Sequence, residues 1–343
     1  MREFKIKNRK IGSTYPVFII AEAGINHNGS LKIAKKMVDM AKKAGVDCIK
    51  FQTHMADKEM IKTDLRPGDI SKKTLWSIIK NSELSEQNES DLKDYCKKQK
   101  ILFLSTPFSI PAVNRLEKLN IPAYKIGSGE LTNHPFLEHI AKIRKPVILS
   151  TGMSEISEIK QAAKIFKKHK TPLALLQTTS EYPADYKDIN LGVIEKLEKK
   201  FHVPIGISDH SFGIYTSLGA VAKGACIVEK HITLDQKMSG PDQKFSLTFN
   251  ELSELVKGCH AVKLALGNSK KILPKERQVL KFARECVVTT KNISKGEIFS
   301  KENLTTKRPF TGSIPATDFF KILGKKAKKA IPSNKQLSKN DII

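Results

Sequence analysis

Cysteine is scarce and scattered in this 343-residue chain. Its five copies, Cys48, Cys96, Cys226, Cys259 and Cys286, fall singly with no C-x-x-C pair. That spacing argues against a cysteine-based metal centre and for reduced, structural thiols. Aromatic residues make up only 7% and tryptophan occurs once, so the basic stripe interleaved with aromatics that nucleic acid binding calls for is missing. No stretch approaches the roughly 20 uninterrupted apolar residues of a membrane helix. The N-terminal stretch carries Arg2, Lys5, Lys7 and Arg9 without the apolar core of a secretory signal. A cytoplasmic protein with neither membrane nor nucleic acid as partner is expected. Acidic residues are also few, 35 against 60 Lys and Arg, for a net charge of +25. The lysines are dispersed through helical stretches, as at Lys36, Lys42, Lys97, Lys98, Lys167 and Lys168, which describes a solvated surface whose positive field favours small anionic substrates.

What is present is a rhythm. With 40% hydrophobic residues the chain can bury one large core and a small one. Eight apolar, β-branched-rich runs each stop at a small polar or charged group. They are 17–21 before Glu22, 47–49 before Lys50, 101–104 before Ser105 and Thr106, and 123–124 before Lys125. The other four are 147–149 before Ser150, 173–176 before Gln177 and Thr178, 205–207 before Ser208, Asp209 and His210, and 226–228 before Glu229, Lys230 and His231. Helix-period stretches lie between them, so the pattern is α/β and predicts a (β/α)8 TIM barrel whose chemistry sits at the C-terminal ends of the strands. Residues 250–266 read as a last amphipathic helix ended by Gly267, Asn268 and Ser269. The predicted barrel domain is therefore 1–269, followed by a charged linker at 270–284. A small, mostly β domain is expected at 285–343, with twelve Lys and Arg against five Asp and Glu, a charge suited to a lid over an anionic site. The insertion 57–75, with Lys58, Lys62, Arg66, Pro67 and Gly68, is long enough to be functional or mobile.

His210 and His231 end the seventh and eighth runs, neighbours in a barrel, and both imidazoles can address one divalent ion. Without thiolates nearby, water and substrate oxygens would fill the remaining positions, an open Lewis-acid site for Mn, Fe, Co or Zn. The bland alternative is two histidines that merely cap their strands. His134, His139, His169, His202 and His260 fall in helical or loop contexts, while His27 and His54 are nearer the mouth and stay open. Lys50 and Lys125, with Thr106, Ser128, Ser150 and Ser208 and the turn Gly127, Ser128, Gly129, could cradle a phosphate and a carboxylate. The same lysines would suit Schiff-base aldolase chemistry. Glu22, Glu130, Glu229 and Asp242 complete the set as acids, bases or hydroxyl binders. A sugar-binding protein on an inert barrel is the non-enzymatic reading.

The segments AEAGINHNG at 21–29, IKFQT at 49–53, STPFS at 105–109, YKIGSGE at 124–130, LSTGM at 149–153, GISDH at 206–210, EKH at 229–231 and GPD at 242 and the two residues before it resemble the N-acylneuraminate (sialic acid) synthases, which include legionaminic and pseudaminic acid synthases. Further on, KRP at 307–309 and LGKK at 323–326 resemble that family's C-terminal antifreeze-like (SAF) domain. The resemblance spans essentially the whole chain. It implies metal-dependent condensation of phosphoenolpyruvate with the open-chain aldehyde of an N-acyl amino sugar, giving a nine-carbon keto acid and phosphate. It implies Mn²⁺ first, with Mg²⁺, Co²⁺ or Fe²⁺ as substitutes, held by His210 and His231. Lys50, Lys125, Thr106, Ser128, Ser150, Ser208 and Lys281 would hold phosphoenolpyruvate, and Gln52, Glu130, Glu229, Tyr182 and Asp242 would lie around the sugar and metal. Glu22, Asp242 and Lys50 would carry the catalytic roles, and Arg308 would reach the N-acyl group from a partner subunit in a domain-swapped homodimer. N-acetylmannosamine is the first expected sugar, with 2,4-diacetamido-trideoxy hexoses as the legionaminic and pseudaminic alternatives. One departure bears on that choice: Ser180 stands where some sialic acid synthases carry asparagine.

Overall fold

The computed structural model describes residues 3–66 and 73–343, so Pro67 and Gly68 of the long insertion lie outside the described residues. The chain divides into two compact units, Met1–Gly267 and Asn268–Ile343. In the first, a hairpin of β1 (Glu3–Ile6) and β2 (Arg9–Gly12) precedes eight parallel strands. These are β3 (Phe18–Gly24), β4 (Cys48–Thr53), β5 (Leu102–Pro107), β6 (Tyr124–Ile126), β7 (Val147–Ser150), β8 (Leu173–Thr178), β9 (Ile205–Asp209) and β10 (Ile227–His231). Their order is β5-β4-β3-β10-β9-β8-β7-β6, and the edge strands β5 and β6 lie in contact, which curls the sheet into the expected barrel.

Helices fill the connections. They are α1 (Leu31–Ala44), α2 (Ala56–Glu59), α3 (Leu75–Ser82), α4 (Glu86–Lys98), α5 (Ile110–Lys118), α6 (His134–Ile143), α7 (Ile156–Lys168), α8 (Val193–Phe201), α9 (Tyr215–Ala222) and α10 (Phe249–Ala265). Their starts are written locally. Side-chain oxygens of Ser30, Thr74, Ser85, Ser109 and Asn133 accept from backbone N–H groups of the first turns, and Glu155 with Glu158 and Thr248 with Glu251 form capping boxes. Gly45, at φ 86°, ends α1 in the left-handed conformation that glycine adopts without strain.

The strands are apolar on both faces because both are covered, as parallel sheets require. Alternation sorts their residues. Ile19, Ala21, Ile49 and Phe51 join Met37, Leu116, Phe136 and Phe166 of the helices in the outer core. Phe18, Ile20, Cys48, Leu104, Ile148, Leu176 and Ile227 point the other way and pack inside the barrel on Phe4, Ile6 and Ile11 of the hairpin. Gly206 belongs to that inward set. A Cβ there would meet Ile227 O at 2.5 Å and Leu176 Cδ2 at 2.6 Å, so only glycine fits. Continuing the inward parity toward the C-terminal ends brings Glu22, Lys50, Gln52, Thr106, Ser150, Ser208, Glu229 and His231. These groups were expected just beyond the strands. All eight lie within the last residues of the strands instead, as in the pairings Glu22↔Lys50 and Gln52↔Thr106, because their polar ends satisfy one another inside the barrel.

The second unit holds α11 (Glu276–Ala283), β11 (Cys286–Thr289), β12 (Leu304–Lys307) and α12 (Phe319–Ile322). The stretch 270–284, expected as a connector, carries α11. The β content rests on the antiparallel β11–β12 pair and isolated bridges such as Ile293↔Ile331 and Ile298↔Lys326, around a core of Val287, Phe299, Leu304, Ile314 and Leu337. Among the described residues no helix is long and apolar enough to cross a membrane.

One buried pair ties the last two strands of the barrel together. Lys230 and Asp209 are partners in the β9–β10 ladder, and Lys230 Nζ lies 3.1 Å from Asp209 Oδ2 on the outward face. Asp209 also accepts from the Ser211, Thr216 and Ser217 hydroxyls, while Lys230 donates to Ser211 O. Burial alone would raise the Asp209 carboxyl, but the Lys230 ammonium and the hydroxyls outweigh it and hold it below its ordinary value. Asp209→Ala is expected to cost about 3–5 kcal/mol, because it strands a buried ammonium. Denaturant midpoints test this: the Asp209→Ala, Lys230→Met double variant should be more stable than Asp209→Ala alone, and additive losses would contradict the pairing.

Candidate active site

Inward parity builds a cavity of about 270 Å³ at the C-terminal mouth of the barrel. Its floor is a cluster of buried opposite charges. Lys50 Nζ lies 2.8 Å from Glu22 Oε2 and 3.7 Å from Glu229 Oε2, and it donates to Thr106 Oγ1 at 3.1 Å. Lys125 Nζ donates to Ser150 Oγ at 2.8 Å and lies 3.5 Å from Glu229 Oε1. Ser208 Oγ donates to the same Glu229 oxygen at 2.9 Å. Glu229 therefore bridges both ammonium groups. Burial would raise its carboxyl, but Lys125 and Lys50 outweigh that and hold it low, while burial pushes Glu22 up to about 7 with Glu229 adding to the rise and Lys50 opposing it. Lys50 goes up despite burial, because Glu22 and Glu229 face it. Lys125 goes down, from burial first and then the neighbouring Lys50.

Two imidazoles form one wall. The His210 and His231 ring centroids are 5.5 Å apart, and the Tyr182 ring lies 4.2 Å from that of His210. His210 Nδ1–H donates to Thr179 O at 2.7 Å, which fixes the tautomer with Nε2 as the basic nitrogen, the orientation common in metal-bound histidine. His231 Nδ1 is buried without a hydrogen-bond partner, 3.8 Å from Asp242 Oδ2. Burial lowers His210 to about 4 and takes His231 well below its ordinary value, so both rings are neutral. Among the described residues no three His, Cys, Asp or Glu side chains cluster as a ligand set. Two neutral imidazoles, one with an orphaned nitrogen, fit a divalent cation whose other positions are open to water and substrate oxygens.

Thirteen of the residues singled out in the sequence line this one cavity: Glu22, Lys50, Gln52, Thr106, Lys125, Ser128, Glu130, Ser150, Tyr182, Ser208, His210, Glu229 and His231. Asp242 joins them through His231, its carboxyl raised to about 6 by burial. Glu130 is likewise raised to about 7 by burial, against the pull of Lys125. Lys281 and Arg308 belong to the second unit. Phe108, Met153 and Thr178 also line the cavity. Sequence reasoning did not single out Phe108 or Met153; each sits two or three residues past a run's polar terminus, and that position was the available signal. Ser180 Oγ faces the cavity buried and unpartnered.

The NeuB family model matches residues 37–271, and the SAF domain model matches 284–343. An N,N'-diacetyllegionaminic acid synthase of Campylobacter jejuni is 43% identical over 91% of this chain and 96% of its own length. The pseudaminic acid synthase of the same species is 39% identical over 95% of this chain and 96% of its own. The crystal structure of the N-acetylneuraminic acid (sialic acid) synthetase of Leptospira borgpetersenii superposes with a TM-score of 0.74 at 39% identity, covering 81% of this chain and 95% of that one. With its barrel, its SAF domain and these relatives, the chain belongs to the NeuB family, that of the sialic, legionaminic and pseudaminic acid synthases.

Proposed function

We propose that the cavity condenses phosphoenolpyruvate with the open-chain aldehyde of an N-acyl amino sugar, releasing phosphate and a nine-carbon keto acid. The observation that carries this reading is the meeting of two buried ammonium groups and four hydroxyls with a pair of neutral imidazoles in one cavity. Lys50, Lys125, Thr106, Ser128, Ser150 and Ser208 have the donors to hold the phosphate and carboxylate of an enol ester. Gln52, Glu130 and Tyr182 would surround the sugar. His210 and His231 would hold a divalent cation, Mn²⁺ in the first instance, which when bound supplies Lewis-acid polarisation of a carbonyl oxygen.

The remaining chemistry falls to the chain's own groups. C3 of phosphoenolpyruvate bonds to the aldehyde carbon, and the aldehyde oxygen takes up a proton. Positive charge develops at C2, next to Glu22 and Glu229, whose carboxylates favour it. Water adds at C2 and gives its proton to Glu22 or Asp242, groups that burial moves to about 7 and about 6, where they exchange protons near neutrality. The C–O bond to phosphate then breaks, phosphate leaving with the bridging oxygen and taking up the C2 hydroxyl proton as C2 becomes a ketone. Arg308 of the partner subunit in a homodimer would close over the N-acyl group and shut bulk water out, leaving only the water that adds at C2. Competing Schiff-base chemistry is less well served, since Lys125 is already engaged by Ser150 and Glu229.

Among sugars, the 2,4-diacetamido-trideoxy mannose analogue moves ahead of the N-acetylmannosamine first expected, on the 43% identity to a legionaminic acid synthase. A phosphate-release assay with phosphoenolpyruvate, Mn²⁺ and a panel of that sugar, N-acetylmannosamine and the altrose analogue should show the highest kcat/KM for the first. No phosphate with any of the three would sink the synthase reading. Chelation should abolish turnover and Mn²⁺ restore it, with His210→Ala and His231→Ala each losing on the order of 10²–10³-fold in kcat and no pyruvate trapped on Lys50 or Lys125 by borohydride. Full activity in both histidine variants would remove the metal from the account.

A further inference from the structure

His54 and Glu59 are absent from the chemistry described so far, yet they are joined to it by an unbroken line of hydrogen bonds. Gln52 Nε2 donates to Glu22 Oε1 at 2.9 Å. The other end of the same amide, Oε1, lies 2.9 Å from His54 Nε2, and His54 Nδ1 lies 2.8 Å from Glu59 Oε1. Glu59 is itself anchored, its second oxygen accepting from Met55 N at 3.0 Å. The imidazole stacks on Phe108, with centroids 4.3 Å apart and planes 11° from parallel, and Phe108 lines the cavity. The His54 and Glu59 side chains are each only 4% exposed. Such a pair has no solubility role to explain its burial.

We infer that His54, aligned by Glu59 and by the Phe108 ring, is a positioning residue that fixes which way the Gln52 amide points. A glutamine amide is nearly symmetric in shape, so contacts at its two ends decide its orientation. An ionised Glu22 accepts only donors, and the amide NH2 serves it only while the amide oxygen is engaged from behind. His54 is that engagement when both ring nitrogens carry hydrogen, Nε2–H donating to Gln52 Oε1 and Nδ1–H to the Glu59 carboxylate. If the Gln52 amide flipped, an oxygen would face the Glu22 carboxylate, and the group proposed to take the proton of water would be displaced. A short helix turn, α2, supplies Glu59, and the end of β4 supplies Gln52.

The inference rests on the synthase reading, and the test separates the two. Steady-state kinetics are measured for wild type, His54→Phe, His54→Gln, Gln52→Ala and the His54→Phe, Gln52→Ala double variant, with thermal unfolding midpoints alongside. Phe keeps the stack on Phe108 and loses the hydrogen bonds, so kcat should fall roughly 10- to 100-fold with KM for phosphoenolpyruvate unchanged. Gln, which retains a donor, should recover part of that loss, and this variant carries the test should His54→Phe fold poorly. In the Gln52→Ala background His54→Phe should cause no further loss, because His54 acts through Gln52. Equal fold-losses in both backgrounds, or a kcat unmoved by His54→Phe, would overturn the inference. A wild-type enzyme that released no phosphate with any sugar would instead overturn the synthase reading.

Discussion

The barrel is organised around four buried charges that have little but one another for a solvent. Glu22, Lys50, Lys125 and Glu229 are each less than 5% exposed, and a lone ion in such a place costs several kcal/mol. Two positive and two negative groups, cross-linked through Glu229 and capped by Thr106, Ser150 and Ser208, offset that cost. The ammonium groups are thereby oriented before any ligand arrives. Preorganised charge in a water-poor cavity is what stabilises charge that forms during a reaction.

Strand parity is how the fold delivers those groups. Along each strand the inward positions begin apolar, against the hairpin, and end polar at the mouth. Shifting any strand by one residue would turn its polar end toward the helices. Asp209 and Lys230 guard against that on β9 and β10, whose inward neighbours are Ser208 and Glu229, with His210 and His231 beyond them. The buried ion pair on the outside of the barrel thus holds the imidazole pair on the inside.

Much of this was legible in the sequence, and the reasons for the rest are physical. Continuous β-branched runs announce strands covered on both faces, and a polar residue ending each run announces the mouth, which is how Lys50, Lys125, His210 and His231 are found. The depth of the cluster was not legible, since a run apolar on both faces hides its alternation. His54 and Glu59 meet across a strand end and one helical turn, a geometry with no periodic signature. Asp242 sits on a loop eleven residues after His231 and was reachable only through a motif. In the second unit, isolated bridges replace long ladders, so alternation is weak there, and the charged surface of α11 read as a connector.

The central claim is that the buried ammonium groups bind the anionic groups of an enol ester, and calorimetric titration of phosphoenolpyruvate into the metal-free protein addresses it without any turnover. Saturable binding by the wild type, weakened on the order of 10- to 100-fold in Lys125→Met, follows from two charge-assisted hydrogen bonds at about 1.5–3 kcal/mol each, of which that variant removes a part. Equal affinity in the two proteins would contradict the account.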